Sequence, residues 1–237
     1  ANIRPAGLDF HAGDVLLQAG RRLGLREIAL AAAMGYGEVR VRRRPVVALI
    51  STGDALVVPG VMPSGAQIVA ASAPGIAAYG AALGGKVHDL GIVRDDVGDL
   101  VRMIDRARAL PADILVTLGG ASVGDHDLVG KALADRGMEL GFWRIAMRPG
   151  KPLMFGRMTG SSGEMRVLGL PGNPVSSIVC ALLFLRPLID SLLGRPTRDP
   201  SEPAILGREV PPNDGRQDYV RAALAMREAE LPLVTPF

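Results

Sequence analysis

The sequence predicts an α/β protein: a three-layer αβα central domain with a mostly parallel sheet, plus a partial N-terminal α+β segment and a partial C-terminal β domain. Three observations carry this prediction. From residue 45 to about 195, short apolar runs alternate with segments of helical period, and strand and helix taking turns builds a parallel sheet covered on both faces. Residues 1–44 lack that alternation. A proline-rich joint at Pro196, Pro200 and Pro203 then closes it, as prolines do between units. The expected divisions are therefore 1–44, a remnant of a larger domain, 45–195, and 196–237, the start of a β-barrel-like domain.

In the first segment, 15–18 reads as a strand, 25–34 as a helix stopped by Gly35, and 38–42 as an alternating polar and apolar run. Arg40, Arg42, Arg43 and Arg44 could form an anion site. On an alternating strand, however, most of such a cluster faces water, and it is assigned no function. The central region reads as strand 46–50, helix near 75–83, strand 87–93, helix 96–109, strand 114–118 and helix 127–136. A strand pair around Ile145 and Met154, strand 167–170 and a long helix over 175–193 follow. After the joint, 204–210 and 218–224 are strand-like, with a turn at 211–215 between them.

Composition limits the function. With 237 residues, 48% hydrophobic and 22% charged, the chain can bury a core, which excludes a disordered or fibrous protein. A net charge of +3 argues against nucleic acid held by bulk charge, although the isoelectric point is about 9.4. The 4% aromatic content leaves little for base stacking. Lone Cys180 excludes an internal disulfide and fits a buried thiol in a reducing cytoplasm. The apolar stretch 175–185 falls short of the roughly 20 residues that span a bilayer, so no membrane segment is expected. Both ends are abrupt, as if more sequence flanked them.

Three apolar strands run into loops of small and polar residues: Ser51-Thr52-Gly53-Asp54, Gly119-Gly120-Ala121-Ser122-Val123-Gly124-Asp125, and Pro171-Gly172-Asn173-Pro174. In an open parallel sheet all three lie at one rim, where ligands bind. Glycines let backbone N–H groups approach an anion, and the helices that follow aim their positive ends at it. A fourth segment, Met147-Arg148-Pro149-Gly150-Lys151-Pro152, either clamps a charged ligand between two cations or is a surface hairpin turn. Asp54, Asp95, Asp125 and Asp127 could hold Mg²⁺ against phosphate oxygens. Asp95 and Asp125 could equally cap helices. His126 reads as a variable loop residue rather than a base.

The run of motifs resembles the molybdopterin molybdenumtransferase family, which includes the E-domain of gephyrin. The matching text is IRPAGLDFHAGDVLLQAG at 3–20, STGDALVVPG at 51–60, DLGIVRDD at 89–96, GGASVGDHD at 119–127, MRPGKPLMFG at 147–156, LGLPGNPVSS at 168–177 and GRQDYVRA at 215–222. The resemblance implies that molybdate is inserted into adenylylated molybdopterin with release of AMP and Mg²⁺ assistance. It also implies a homodimer, and a molybdopterin adenylyltransferase as a possible partner. By position, Ser122, Lys151, Pro152 and Ser176 resemble residues lining a molybdate and phosphate site. Arg148 stands where the family usually has lysine, and Arg221 looks like a further molybdate contact. Asp54, Asp95 and Asp127 resemble residues that hold metal or handle water. Ser51, Thr52, Gly53, Gly119, Gly120, Gly124, Gly172, Asn173 and Pro174 resemble nucleotide or pterin binders.

Two departures from the pattern stand out. Ala55 replaces the glutamate of the usual Ser-Thr-Gly-Asp-Glu-Leu, and Ala71-Ser72 replaces the usual Ser-Asn after Gln67 and Ile68. The alternatives they leave are a catalytically impaired scaffold that still binds the pterin nucleotide and, less well matched, a molybdopterin adenylyltransferase. The latter leaves 3–20 and the region after Pro203 unexplained.

Overall fold

The structure, a computed structural model, describes residues 5–120, 127–197, 201–228 and 230–237. Helix α1 (Leu25–Ala33) precedes β1 (Val46–Thr52), the short strands β2 (Leu56–Val57) and β3 (Ile68–Val69), α2 (Ser72–Ala82) and β4 (Lys86–Val93). Then come α3 (Val97–Ala109), β5 (Ile114–Leu118), α4 (Leu128–Asp135), β6 (Glu139–Trp143), β7 (Met147–Arg148), β8 (Met154–Gly160) and β9 (Gly163–Leu170). The chain continues through α5 (Pro174–Cys180), a π-helical segment Ala181–Leu185 and α6 (Arg186–Leu192) to β10 (Ile205–Leu206), β11 (Gln217–Asp218), β12 (Ala222–Ala225) and β13 (Leu233–Pro236).

A six-stranded sheet of order β4-β1-β5-β9-β8-β6 forms the centre. β4, β1, β5 and β9 are parallel, while β8 and β6 add an antiparallel edge. Side chains alternate between faces along a strand, and both faces here are covered. Val47, Leu49, Val116, Leu168 and Leu170 pack with Ile76 of α2 and with Cys180, Leu185 and Ile189 of the long helix. Ala48, Ile50, Leu115 and Val167 pack with Leu100 and Ile104 of α3 and Val129 and Leu133 of α4. This is the expected three-layer arrangement. Every residue of β5 is buried, as a central parallel strand between two helical layers requires. Burial pushes the Cys180 thiol up to about 12, so the expected inert thiol is what the fold holds.

The helix over 175–193 forms as Pro174–Leu192. It is interrupted by a π turn in which the Arg186 amide reaches the Ala181 carbonyl. Pro187 follows immediately; it has no N–H, and in an uninterrupted α-helix its ring would press on the carbonyl four residues earlier. The apolar stretch therefore runs beyond residue 185. By length and composition the helix could cross a membrane, but Ser177, Cys180, Ala181, Leu185 and Ile189 are buried, the last four in the core beneath the sheet.

Four expectations need correction. Residues 15–18 form no strand: the run is short and lies between Gly13 and Gly20 at positive φ. Residues 38–42 form no strand either. The arginines Arg40, Arg42, Arg43 and Arg44 are exposed as expected, and two of them also make hydrogen bonds. Arg43 donates to Asp113 (Nη1 to Oδ2, 2.7 Å), and Arg44 donates to the Gly84 and Gly85 carbonyls at 3.1 and 2.6 Å. Ile145 lies just past β6, so the antiparallel pair is Glu139–Trp143 with Met154–Gly160. In the last segment, 204–210 contributes only Ile205–Leu206, and 218–224 divides between β11, which pairs with β7, and β12, which pairs with β13. Strand β13 was not expected from sequence because Pro232 and Pro236 punctuate it.

Candidate functional site

β1, β5 and β9 are neighbours in the sheet and parallel, so their carboxyl ends deliver three loops to one rim. There they surround a cavity of about 480 Å³ lined by Ser51, Thr52, Gly53, Asp54, Asp95, Gly119, Gly120, Gly172 and Pro174. The rest of its wall is Ala55, Leu56, Ile68, Val69, Ala70, Ala71, Ser72, Ala73 and Leu118. One side thus offers hydroxyls and carboxylates and the other an apolar surface, the division a heteroaromatic ring bearing phosphates calls for.

Glycine is required where the loops cross. At Gly120, with φ of 69°, a Cβ would stand 2.1 Å from Val129 Cγ2 and 2.9 Å from Thr52 Oγ1. At Gly172 a Cβ would come within 3.3 Å of the Gly119 Cα, so loops two and three touch backbone to backbone. Several of the N–H groups expected to face an anion are already engaged. Gly53 donates to the Val93 carbonyl at 3.1 Å and Gly119 to Leu170 at 3.1 Å. The Asn173 side chain accepts from the Val175 and Ser176 amides at 3.0 and 3.2 Å, which caps α5.

Of the carboxylates, Asp54 and Asp95 share the cavity, and the Asp95 amide donates to Asp54 Oδ1 at 3.2 Å. The cap of α3 is Asp96, which accepts from the Asp99 amide, so Asp95 remains open to the cavity. Asp127 caps α4, accepting from the Gly130 amide at 2.8 Å. Burial raises its pKa, and the Gly130 hydrogen bond and nearby Lys131 and Arg144 offset this only in part. Asp127 does not line the cavity. No group of three His, Cys, Asp or Glu side chains gathers as a metal cage among the described residues. Asp54 and Asp95 nonetheless suit a cation that keeps one or two carboxylates and takes its other ligands from phosphate and water.

The fourth segment stands apart from this cavity. Arg148 is ion-paired with Asp218 of β11, with Asp214 at 3.9 Å, and β7 pairs with β11 in parallel. Rather than clamping across the turn with Lys151, Arg148 ties the last segment to the central one. Lys151 and Arg221 are exposed, and Pro152 and Ser176 are partly buried; none of them lines the cavity. Ser122, Gly124, Asp125 and His126 lie outside the described residues.

Sequence reasoning missed the wall formed by β2, β3 and the start of α2. Its signal was the stretch from Gln67 to Ser72, seen only as a departure from a pattern. It also missed buried Ser177, whose hydroxyl donates to the Pro174 carbonyl at 3.0 Å and accepts from the Ser72 hydroxyl at 3.3 Å. These bonds join that wall to the third loop.

Residues 48–191 match the family described as a probable molybdopterin binding domain. The chain is 34% identical over 229 residues to the molybdopterin molybdenumtransferase of Haemophilus influenzae, covering 96% of this chain and 55% of that protein. It is 39% identical over 185 residues to the molybdopterin molybdenumtransferase of a Nostoc species, covering 78% and 42% respectively. Among solved structures, the molybdopterin biosynthesis MoeA protein of a Pyrococcus species superposes with a TM-score of 0.77 at 30% identity, over 98% of this chain and 55% of that one. The chain spans about half the length of the curated relatives it matches. It belongs to the molybdopterin-binding domain family, and the Haemophilus influenzae protein, which it matches along nearly its whole length, is named a molybdopterin molybdenumtransferase.

Proposed function

We propose that this chain supplies the pterin- and nucleotide-binding rim of a molybdopterin molybdenumtransferase, which takes adenylylated molybdopterin and molybdate and releases AMP. The observation that carries the reading is the cavity where three adjacent parallel strands end. It is apolar along Leu56, Ile68, Val69 and Ala70 and polar along Ser51, Thr52, Asp54 and Asp95. A flat ring seats against the first wall. The phosphates lie along the second, where Gly119 and Gly120 let the backbone come close.

Asp54 and Asp95 would hold Mg²⁺, which would neutralise charge on the leaving phosphate. The residues themselves position the anhydride and exclude bulk water; one water is consumed as the phosphoanhydride breaks. Lys151 and Arg221 reach the ligand only with movement of their exposed side chains or from a second subunit, in keeping with the proposed homodimer. An adenylyltransferase partner and a cytoplasmic location complete the proposal.

Ala55 and Ala71 both line this cavity, and that favours a second reading in which the rim binds the pterin nucleotide with little turnover. AMP release is the test, measured with and without molybdate and Mg²⁺. Molybdate-dependent release by the natural protein supports the transferase. Tight binding with release only after Ala55→Glu supports the second reading. Failure to bind either AMP or the adenylylated pterin overturns both.

A further inference from the structure

At the opposite end of the sheet lies a second cavity, of about 620 Å³, which nothing above uses. It is walled by 17–23, 39–42 and 193–195. Pro174 lines the rim cavity and Leu193 and Gly194 line this one, so the long helix separates them by its own length, roughly 28 Å at about 1.5 Å per residue.

Five arginines line this hollow: Arg21, Arg22, Arg40, Arg42 and Arg195. Two are already paired. Arg21 donates to Glu27 at 2.7 and 3.0 Å, and Arg195 donates to Asp190 and to the Leu83 carbonyl at 3.1 and 2.9 Å. Among the described residues, Arg22, Arg40 and Arg42 have no hydrogen-bond or ion-pair partner and no acidic side chain lines the cavity. An adjoining hollow of about 330 Å³ shares Gly20, Arg22 and Arg195 with it and adds Arg186 and Asp190, which are ion-paired with each other at 3.7 Å. Leu193 and Gly194 are the carbonyl end of the long helix, whose dipole favours cations, whereas the Arg195 guanidinium is taken up by the Leu83 carbonyl and Asp190. Arg22, Arg40 and Arg42 line the hollow from two separate stretches of chain.

We propose that this hollow binds a compact polyanion of the diphosphate class, free or carried on a nucleoside, at a site separate from the rim. Guanidinium groups recognise phosphate oxygens through paired, charge-assisted hydrogen bonds. Three of them supply the charge a diphosphate needs, and the adjoining hollow gives room for a second phosphate or a nucleoside. A bound anion would tie 17–23 and 39–42 to the end of the long helix, joining two stretches that otherwise bury almost nothing.

The test is an amide NMR titration of the protein with inorganic pyrophosphate near physiological ionic strength, then with ADP to separate free from nucleoside-borne diphosphate. Saturable shifts are expected at Gly20, Leu193 and Gly194. Arg42→Ala should weaken that binding by about tenfold or more, Arg42→Lys should recover part of it, and Arg26→Ala on α1, away from the cavity, should leave it unchanged. Shifts confined to Gly53 and Gly119 would assign pyrophosphate to the rim and overturn this site while leaving the rim reading intact. Absence of saturable shifts, or an equal loss in Arg26→Ala, would overturn it as well.

Discussion

The central strands and the two flanking segments are built on opposite terms. In β1 six of seven positions are buried and in β5 all five. Among described residues 5–44 only Ala31 is buried, and among those of 201–237 only Pro236. Val15, Leu25, Leu224, Met226 and Phe237 are all more than half exposed. The centre is held by apolar area removed from water. The flanks are held by polar ties: Arg43 to Asp113, Arg44 to the Gly84 and Gly85 carbonyls, Arg148 to Asp218, and the β7–β11 pairing. The contrast teaches that the site depends on the centre alone for its shape, since no residue of either flank lines it.

Graded substitutions can break or sharpen this contrast. Leu115→Ala, at a position with no exposure, is expected to cost about 3–5 kcal/mol in urea unfolding. Gly120→Ala forces a Cβ into Val129 and Thr52 at positive φ; about 2 kcal/mol or more is expected to be lost, together with AMP affinity in a binding titration. Asp113→Asn should cost about 1–2 kcal/mol. Burial raises the pKa of Asp113, but the Arg43 hydrogen bond and the Val46 amide outweigh it, leaving the pKa lowered. Its stabilising contribution is therefore complete above the ordinary carboxylate value of 3.8 and is lost as pH falls through its lower folded value. The mutant's acid unfolding curve should lack that step. Leu224→Ala, 63% exposed, should change stability by no more than about 0.5 kcal/mol. A loss matching that of Leu115→Ala would show that the C-terminal flank is packed like the core.

The centre was legible because alternation of period leaves a strong mark: strand 114–118 and helices α2, α3 and α4 emerge close to their expected bounds. The three strand-end loops were legible for the same reason, since parallel order places strand ends together without further information. The flanks were not, because strands of two to four residues are decided by partners distant in sequence, as β11 is by β7. Side-chain roles were legible only by type. Composition marked Arg148 and Asp127 as charged and close to the loops. It could not show that Asp218 takes the first and that the start of α4 takes the second.

The π turn has a consequence for how the chain tolerates changes in length. Removing one residue from a strand of the central sheet would reverse the facing of everything beyond the cut. Removing one between Ala181 and Leu185, together with Pro187→Ala, would instead let an ordinary helix close and shorten the spacing of buried Ala181, Leu185 and Ile189 from four and four to three and four. Both spacings keep those side chains on one stripe. That short stretch is a place where one residue can be lost while the rim, a full turn and more upstream, keeps its register.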